Sequence, residues 1–277
     1  MGKPLTASTS AILEAAEQTL PIGDFSDGSL IADHTSEVLI APLPGGEAAK
    51  TYDASAARTE RPERLHPVLL PQFQYQGNVG GLYRLSDGLY QIRDGLIYTT
   101  LVRGDTGWII IDVGLIAEAT ASLWAFAREH LPGGADVPVS AVIYSHSHAD
   151  HFGGVKGFIS QAEADAGTVD VIAPHGFMDE LTAESIIAGP AMRRRAEYSF
   201  GRLLEPKPDA SELAFSTLPP GTISLIAPTI ELPEGPGEIT VREVDGVTIY
   251  FKDISGAEAP ASTLMYLPKY KMIFNSE

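Results

Sequence analysis

Residues 144–154 read YSHSHADHFGG and place three of the chain's seven histidines within six positions. They follow an apolar run, 139–144, that is typical of a strand buried on both faces. In an extended segment, side chains at positions i and i+2 point the same way, so His146 and His148 can grip one metal ion together. The spacing therefore predicts a pair of metal-binding imidazoles at the end of a core strand.

Two further donors follow in the same stretch. Where the chain curls toward a helix, Asp150 and His151 turn to the other side and can hold a second ion. A set of imidazole nitrogens and a hard carboxylate, without sulfur, is typical of a Zn²⁺ site in which one coordination position is left for water. Zinc lowers the pKa of such a bound water molecule to about 7. The alternative is a set of surface histidines with Asp150 as a helix N-cap. The place of the pattern at a strand end, followed by Gly153 and Gly154, favours the metal site.

The composition of the 277-residue chain is that of a globular protein, with 44% hydrophobic and 20% charged residues. The net charge of −17 argues against nucleic acid or an anionic membrane surface as the main partner, because both need a basic face. The absence of cysteine excludes disulfides, iron–sulfur clusters and thiol catalysis. No apolar run reaches the roughly 18 residues of a membrane span, and Glu14 and Glu17 interrupt the only signal-like stretch. We expect no membrane span and favour the cytoplasm as the compartment.

The pattern along the chain predicts an α+β protein. Residues 1–70 form an N-terminal arm or irregular lead-in, because Pro, Gly and charge interrupt them, and 71–277 form one domain. Strands are predicted at 82–85, 89–92, 97–103, 108–111, 139–144, 169–173, 223–226, 238–244, 247–251, 263–267 and 272–274, and helices at 10–20, 116–129, from 154 through 159, 178–188 and 191–204. Strand pairs, then strand–helix alternation, then more strands indicate a layered sandwich.

The His-x-His-x-Asp-His pattern resembles the signature of the metallo-β-lactamase superfamily, and Asp112, directly after 108–111, resembles its preceding strand-end aspartate. Several strings are also similar to the zinc-dependent alkyl sulfatases of that superfamily, over the chain from about residue 70 onward. They are GNVGGLY at 77–83, GLYQIR at 88–93, RGDTGW at 103–108, HADHFGGVKG at 148–157 and AGPAMRRR at 188–195.

The resemblance implies an αββα sandwich with two zinc ions that hydrolyses sulfate esters of alkyl alcohols. By the family pattern, His146 and His148 hold the first zinc, and Asp150, which also serves catalysis, holds the second with His151. A glutamate after a late strand joins the first site, and Glu277 is the matching position. Relatives continue past this glutamate with further ligands, a dimerisation region and another domain. We therefore expect an incomplete C-terminus and little activity from this chain alone. The expected partners are a second copy when the protein is complete and, as a further option, a separate C-terminal portion.

Other candidate residues are weaker. His175 follows a strand and could be a ligand as in lactamase-type relatives, but a structural role is favoured. The run Arg193 to Arg195 could bind sulfate, although a solvated helix face is favoured, and Pro190 stands where relatives usually have Asn. Asp112 is expected to orient residues 145–151, here called the metal loop, by hydrogen bonding rather than to bind metal.

Three functions remain open at this stage. The first is hydrolysis of alkyl sulfates, with a small-molecule substrate. The second is hydrolysis of another ester, a lactone, a thioester or a β-lactam by the same fold. The third is a non-catalytic fragment or assembly subunit, which would keep the fold without a complete metal site.

Overall fold

The computed structural model describes residues 30–32, 38–40, 50–52, 81–94, 97–199 and 221–275. The strands within them are β1 (Leu30–Ala32), β2 (Val38–Ile40), β3 (Lys50–Tyr52), β4 (Gly81–Ser86), β5 (Leu89–Asp94), β6 (Ile97–Arg103), β7 (Trp108–Ile111), β8 (Val139–Ile143), β9 (Asp170–Ala173), β10 (Ile230–Glu231), β11 (Ile239–Val244), β12 (Val247–Asp253), β13 (Thr263–Leu267) and β14 (Met272–Phe274). The helices are α1 (Ala117–His130), α2 (Ala149–Phe152), α3 (Gln161–Asp165), α4 (Phe177–Leu181) and α5 (Gly189–Ser199), with a π-helical turn at Thr182–Ile187 and 3₁₀ turns at Gly134–Asp136, Val155–Gly157 and Pro268–Tyr270.

The first sheet has the strand order β1-β4-β5-β6-β7-β8-β9-β10. Its strands are antiparallel from β1 to β7 and parallel from β7 to β10. Ile143 of β8 pairs with Ile111 on one side and Ile172 on the other. Because parallel strands end at the same edge, the residues that follow β7, β8 and β9 meet there.

The second sheet, β11-β12-β13-β14, is antiparallel throughout. Its first hairpin turns at Asp245 and Gly246, whose φ angles of 44° and 75° are those of a type I′ turn. An apolar core between the sheets contains Ile109 and Ile111 from the first and Phe251 from the second. The two sheets therefore pack face to face.

The central strand β7 is buried on both faces, as its apolar run predicts. Ile109 and Ile111 lie in the core between the sheets, whereas Trp108 and Ile110 lie in the core under α1, together with Leu123. All four residues of the strand have no exposed area. The described part of the chain therefore has a helical layer, then one sheet, then the other.

The face of the second sheet that points away from the first sheet exposes apolar side chains, namely Ile239, Val241, Tyr250 and Ile273.

Two predicted elements are wrong. The helix expected from 154 through 159 is absent, because α2 ends at Phe152 and only a 3₁₀ turn follows; the glycines there pack against backbone carbonyls and turn the chain. The strand expected at 223–226 is also absent. There the Ser224 amide donates to the Gly153 carbonyl, and hydrogen bonding to β9 begins at Thr229, directly before β10.

Other predictions fall partly outside the described residues. The helix at 10–20 lies outside them, and of the helix predicted at 191–204 the described part is α5. The helix predicted at 178–188 is α4 followed by a π-helical turn. Among the described residues, no helix is long and apolar enough to cross a membrane.

Candidate metal centre

The segment after β8 brings the imidazole rings of His146 and His148 together, with 4.7 Å between their centroids and an angle of 79° between their planes. It stays extended as far as His148, whose φ of −83° and ψ of 146° directly precede α2. His146 Nε2 lies 3.1 Å from His148 Nδ1. His146 is fully buried, and the His148 side chain is 23% exposed. The predicted pairing of these side chains is therefore present in the structure.

Asp112 organises this loop from the end of β7. Its carboxylate accepts hydrogen bonds from the Ser145 amide at 2.8 Å, the Ser145 hydroxyl at 2.7 Å and His151 Nδ1 at 2.8 Å. The residue is buried and has a φ of 56°, a left-handed conformation that is uncommon outside glycine. Asp112 thus orients the metal loop by hydrogen bonding, as expected.

The hydrogen-bond partners of His146 and His148 indicate which of their ring nitrogens carry protons. The Ser145 hydroxyl donates to Asp112, so it accepts from His146 Nδ1–H at 3.0 Å, and His146 Nε2 carries no proton. His148 Nε2 faces the Glu184 carboxylate at 3.2 and 3.3 Å and donates to it, so in the neutral ring Nδ1 carries no proton. In that form the lone pairs of His146 Nε2 and His148 Nδ1 point at each other, an arrangement that a shared cation stabilises.

The spacing of these nitrogens suits zinc. Two nitrogens bonded to one tetrahedral Zn²⁺, at about 2.05 Å each, lie about 3.3 Å apart. The observed separation of His146 Nε2 and His148 Nδ1 is 3.1 Å. Glu258 Oε1 lies 3.6 Å from the same Nδ1 atom. The loop that carries Glu258 is held against the metal loop by the Thr263 amide, which donates to the Ser145 carbonyl at 2.9 Å.

The second predicted pair lies beside the first. His151 donates from Nδ1 to Asp112, and its Nε2 lies 3.5 Å from Asp150 Oδ2. The rings of His146 and His151 are 4.0 Å apart between centroids. The Asp150 carboxylate is 49% exposed, so this second position faces the open side of the loop.

The charge states also suit metal binding. Burial, together with the neighbouring His151 charge, lowers the pKa of His146 to about 4, so the ring is neutral at pH 7. Burial alone would raise the pKa of Asp150, but the hydrogen bond and charge of His151 outweigh it and lower the pKa to about 2. Neutral imidazole and ionised carboxylate are the forms that bind metal.

Each pair supplies only two donors. Within the part of the chain that the structure describes, no three His, Asp or Glu side chains are arranged to hold one ion. Glu258 is the additional carboxylate beside the metal-facing nitrogen of His148, and Glu277 lies outside the described residues. The donor chemistry therefore fits a metal centre that needs carboxylates beyond the motif.

The remaining candidates lie elsewhere. His175 is half exposed, with Glu231 Oε1 at 3.4 Å from Nδ1 and Glu234 Oε2 at 3.7 Å from Nε2. The run Arg193 to Arg195 is exposed on α5. Sequence reasoning missed Glu184 and Glu258, because each is a single glutamate without metal-binding spacing.

Comparison with known proteins identifies the architecture. The profile of the metallo-β-lactamase superfamily matches residues 92–248, more than half of the chain, and spans the metal loop. The chain belongs to the metallo-β-lactamase superfamily. The α+β sandwich expected from the resemblance is thereby confirmed. Membership in this superfamily implies bound metal ions, typically zinc.

Three relatives of this superfamily member are alkylsulfatases by name. The chain is 36% identical over 276 residues to the alkyl/aryl-sulfatase BDS1 of Saccharomyces cerevisiae, covering 96% of this chain and 41% of that protein. It is 36% identical over 288 residues to a linear primary-alkylsulfatase of a Pseudomonas species, covering 99% and 41%. The structure of the inverting sec-alkylsulfatase Pisa1, also from Pseudomonas, aligns with a TM-score of 0.77 and 32% identity over 99% of this chain and 43% of that one. The chain thus spans about two fifths of the length of these relatives.

Proposed function

We propose that the chain is the metal-binding part of an alkylsulfatase, which hydrolyses alkyl sulfate esters. Water adds to the ester, one ester bond breaks, and an alcohol and hydrogen sulfate leave. The observation that carries the proposal is the pair of ring nitrogens, His146 Nε2 and His148 Nδ1, which lie 3.1 Å apart in a loop of this superfamily. The identity to three alkylsulfatases over nearly the whole chain supports the substrate class.

The described residues suggest a division of ligands between two zinc ions. His146 and His148 would hold the first, with Glu258 as the carboxylate beside them. Asp150 and His151 would hold the second, and Glu277 would add a carboxylate to the first from outside the described residues. When bound, zinc supplies hydroxide at neutral pH and positive charge for the sulfate oxygens.

The protein's own groups prepare this site for an anionic substrate. Asp112 holds His151 directly and His146 through Ser145, so neither ring has to reorient when a ligand arrives. The buried His146 marks the closed side of the centre, and the half-exposed Asp150 marks the side open to solvent. We assign Asp150 the catalytic role of orienting the attacking water, because its carboxylate is the accessible acceptor on that side.

The assembled enzyme is a further part of the proposal. The relatives are more than twice as long as this chain. We propose a homodimer in which a further C-terminal portion supplies the donors that the motif lacks. In this arrangement the chain by itself binds zinc weakly and hydrolyses alkyl sulfate slowly, because an incomplete ligand set loses affinity.

The test compares His148→Ala with His130→Ala, whose ring is exposed at the end of α1 and contacts Phe126. Bound zinc and hydrolysis of dodecyl sulfate are measured on this chain and on a longer chain that includes the C-terminal portion. We expect His148→Ala to lose zinc and turnover while His130→Ala keeps both. Dodecyl sulfate hydrolysis that survives in His148→Ala refutes the proposal, and faster hydrolysis of lactones or thioesters than of the sulfate reassigns the substrate.

A further inference from the structure

The outer nitrogen of His148 is held by a different part of the fold from the other two metal-loop rings. Asp112 holds those two, one directly and one through a serine hydroxyl. His148 Nε2 instead lies 3.2 and 3.3 Å from the two carboxylate oxygens of Glu184, which is 36 positions further along the chain. The orientation of this ring therefore depends on the segment that carries Glu184.

That segment is the π-helical turn Thr182–Ile187 between α4 and α5. The Ala188 amide donates to the Ala183 carbonyl, five residues earlier, at 2.9 Å, which is the hydrogen bond that defines a π-helical turn. Every residue of the turn is exposed except Glu184, whose side chain is only 22% exposed. Glu184 Oε2 is buried, lies 3.2 Å from His148 Nε2 and has no hydrogen-bond partner among the described residues. Turns of this type are rare and concentrate at functional sites. Here the turn directs one carboxylate inward.

A carboxylate beside a histidine ligand can either bind the metal itself or orient the histidine ring, and the position of Glu184 distinguishes these two roles. The two nitrogens of an imidazole lie on opposite sides of the ring. His148 Nδ1 faces His146, and Nε2 faces Glu184. The ring therefore stands between Glu184 and the first metal position, so Glu184 cannot bind the same ion as His148 Nδ1. Glu184 lies on the side of the His148 ring that faces away from the metal position.

We propose that Glu184 is a positioning residue that accepts the Nε2–H of His148 and thereby presents Nδ1 to the metal. This inference rests on the metal centre proposed above. Without the carboxylate, the ring can turn about its Cβ–Cγ bond and the proton can move to Nδ1, and both changes remove the donor. Outer carboxylates that orient histidine ligands typically contribute about 10–100-fold in metal affinity.

The experiment uses the full chain with three substitutions. Glu184→Ala removes the acceptor, and Glu184→Gln keeps an amide oxygen that can accept the same hydrogen bond. Glu180→Ala is the matched control, because Glu180 is a partly exposed glutamate at the end of α4, in the turn before. Zinc affinity is measured by competition with a chelator. The tautomer of His148 is measured by nitrogen NMR on the metal-free protein.

We expect Glu184→Ala to weaken zinc binding about 10–100-fold, Glu184→Gln to restore most of it, and Glu180→Ala to match the wild type. In the metal-free wild type, the His148 proton should reside on Nε2, and Glu184→Ala should change that signal. Equal affinity in wild type and Glu184→Ala, or equal losses in both Glu184 variants, overturns the inference. If the wild type binds no zinc, the proposed function fails, whereas the NMR result still decides the role of Glu184.

Discussion

Asp112 concentrates three hydrogen bonds of the metal loop on one carboxylate. Asp112→Asn isolates the role of its charge, because Asn tolerates the left-handed backbone that Asp112 adopts. The amide nitrogen cannot accept, so at least one of the bonds from Ser145 or His151 is lost. We expect zinc affinity to fall about 10–100-fold and the free energy of unfolding to fall by about 1–3 kcal/mol. Chelator competition and urea unfolding measure the two effects.

Asp170→Asn is the control for this substitution, since Asp170 is exposed at the start of β9. It should leave both quantities at the wild-type value. A normal zinc affinity in Asp112→Asn would mean that the loop keeps its ligands in place without this carboxylate.

The residues of the site that sequence reasoning finds are those encoded locally. His146 and His148 share one side because they are two positions apart in an extended segment, and the structure places them together. Asp112 is found because it directly follows a buried strand. Glu184 reaches His148 only through a helical turn that is distant in sequence, and Glu258 only through the second sheet. No local sequence pattern predicts that Glu184 and Glu258 lie close to His148.

At the level of elements, the Asp245 turn ties the two sheets together. The Asp245 carboxylate accepts hydrogen bonds from the Thr106 amide and hydroxyl and from the Gly107 amide, at 2.8 to 3.2 Å. We expect Asp245→Ala to lower the free energy of unfolding by about 2–3 kcal/mol, since the lost acceptor is charged. Asp245→Asn should cost less, because it suits the turn and keeps one acceptor. Urea unfolding at neutral pH measures both.

The same carboxylate makes a pH-dependent contribution. Burial alone would raise the pKa of Asp245, but its hydrogen bonds with groups such as the Gly107 and Thr106 amides outweigh burial and lower the pKa. A lowered pKa in the folded state stabilises the protein above the unfolded-state pKa of about 3.9, and the contribution is lost as the pH falls through the folded-state pKa. The stability gap between wild type and Asp245→Asn should therefore shrink between pH 6 and pH 3. A constant gap would contradict this assignment.

Gly154 lets the metal loop approach the turn after β7. A Cβ at this position would collide with the Val113 carbonyl and the Thr120 hydroxyl, which are themselves hydrogen-bonded at 2.8 Å. We expect Gly154→Ala to cost about 1–3 kcal/mol of stability and to weaken zinc binding by displacing the loop. Gly189→Ala is the control, because nothing lies within 4 Å of a Cβ there. Thermal unfolding and zinc competition on both variants measure the effect.

The elements that the sequence predicts well have strong periodicity and local turns. The β4–β5 hairpin, β6 and β7 match their predicted positions within two residues at each end. The apolar residues at 223–226 instead belong to a loop, in which Ile226 lies in the core under α1 and Ile223 is exposed. Apolar character alone does not distinguish a buried loop from a buried strand.

For the whole molecule, metal binding should act as a cross-link. The candidate ligands come from the loop after β8 and from the loop between β12 and β13, so bound zinc joins the two sheets. Free zinc at 100 times its dissociation constant should raise the free energy of unfolding by about 2.7 kcal/mol. Urea unfolding with zinc and with a chelator measures the difference, and His148→Ala should show none. Identical midpoints with and without zinc in the wild type would exclude this linkage.

The mixed connectivity of the first sheet sets an order for folding. Strands β4 to β7 follow one another antiparallel, whereas β8 reaches β7 only after α1 has crossed the sheet. Neighbouring strands close short loops and pair faster than distant segments. The bond from the Ser145 amide to Asp112 joins residues 33 positions apart and needs that crossover. We therefore expect a refolding chain to acquire its affinity for metal late, so that bound zinc would stabilise the completed fold and would not start its formation.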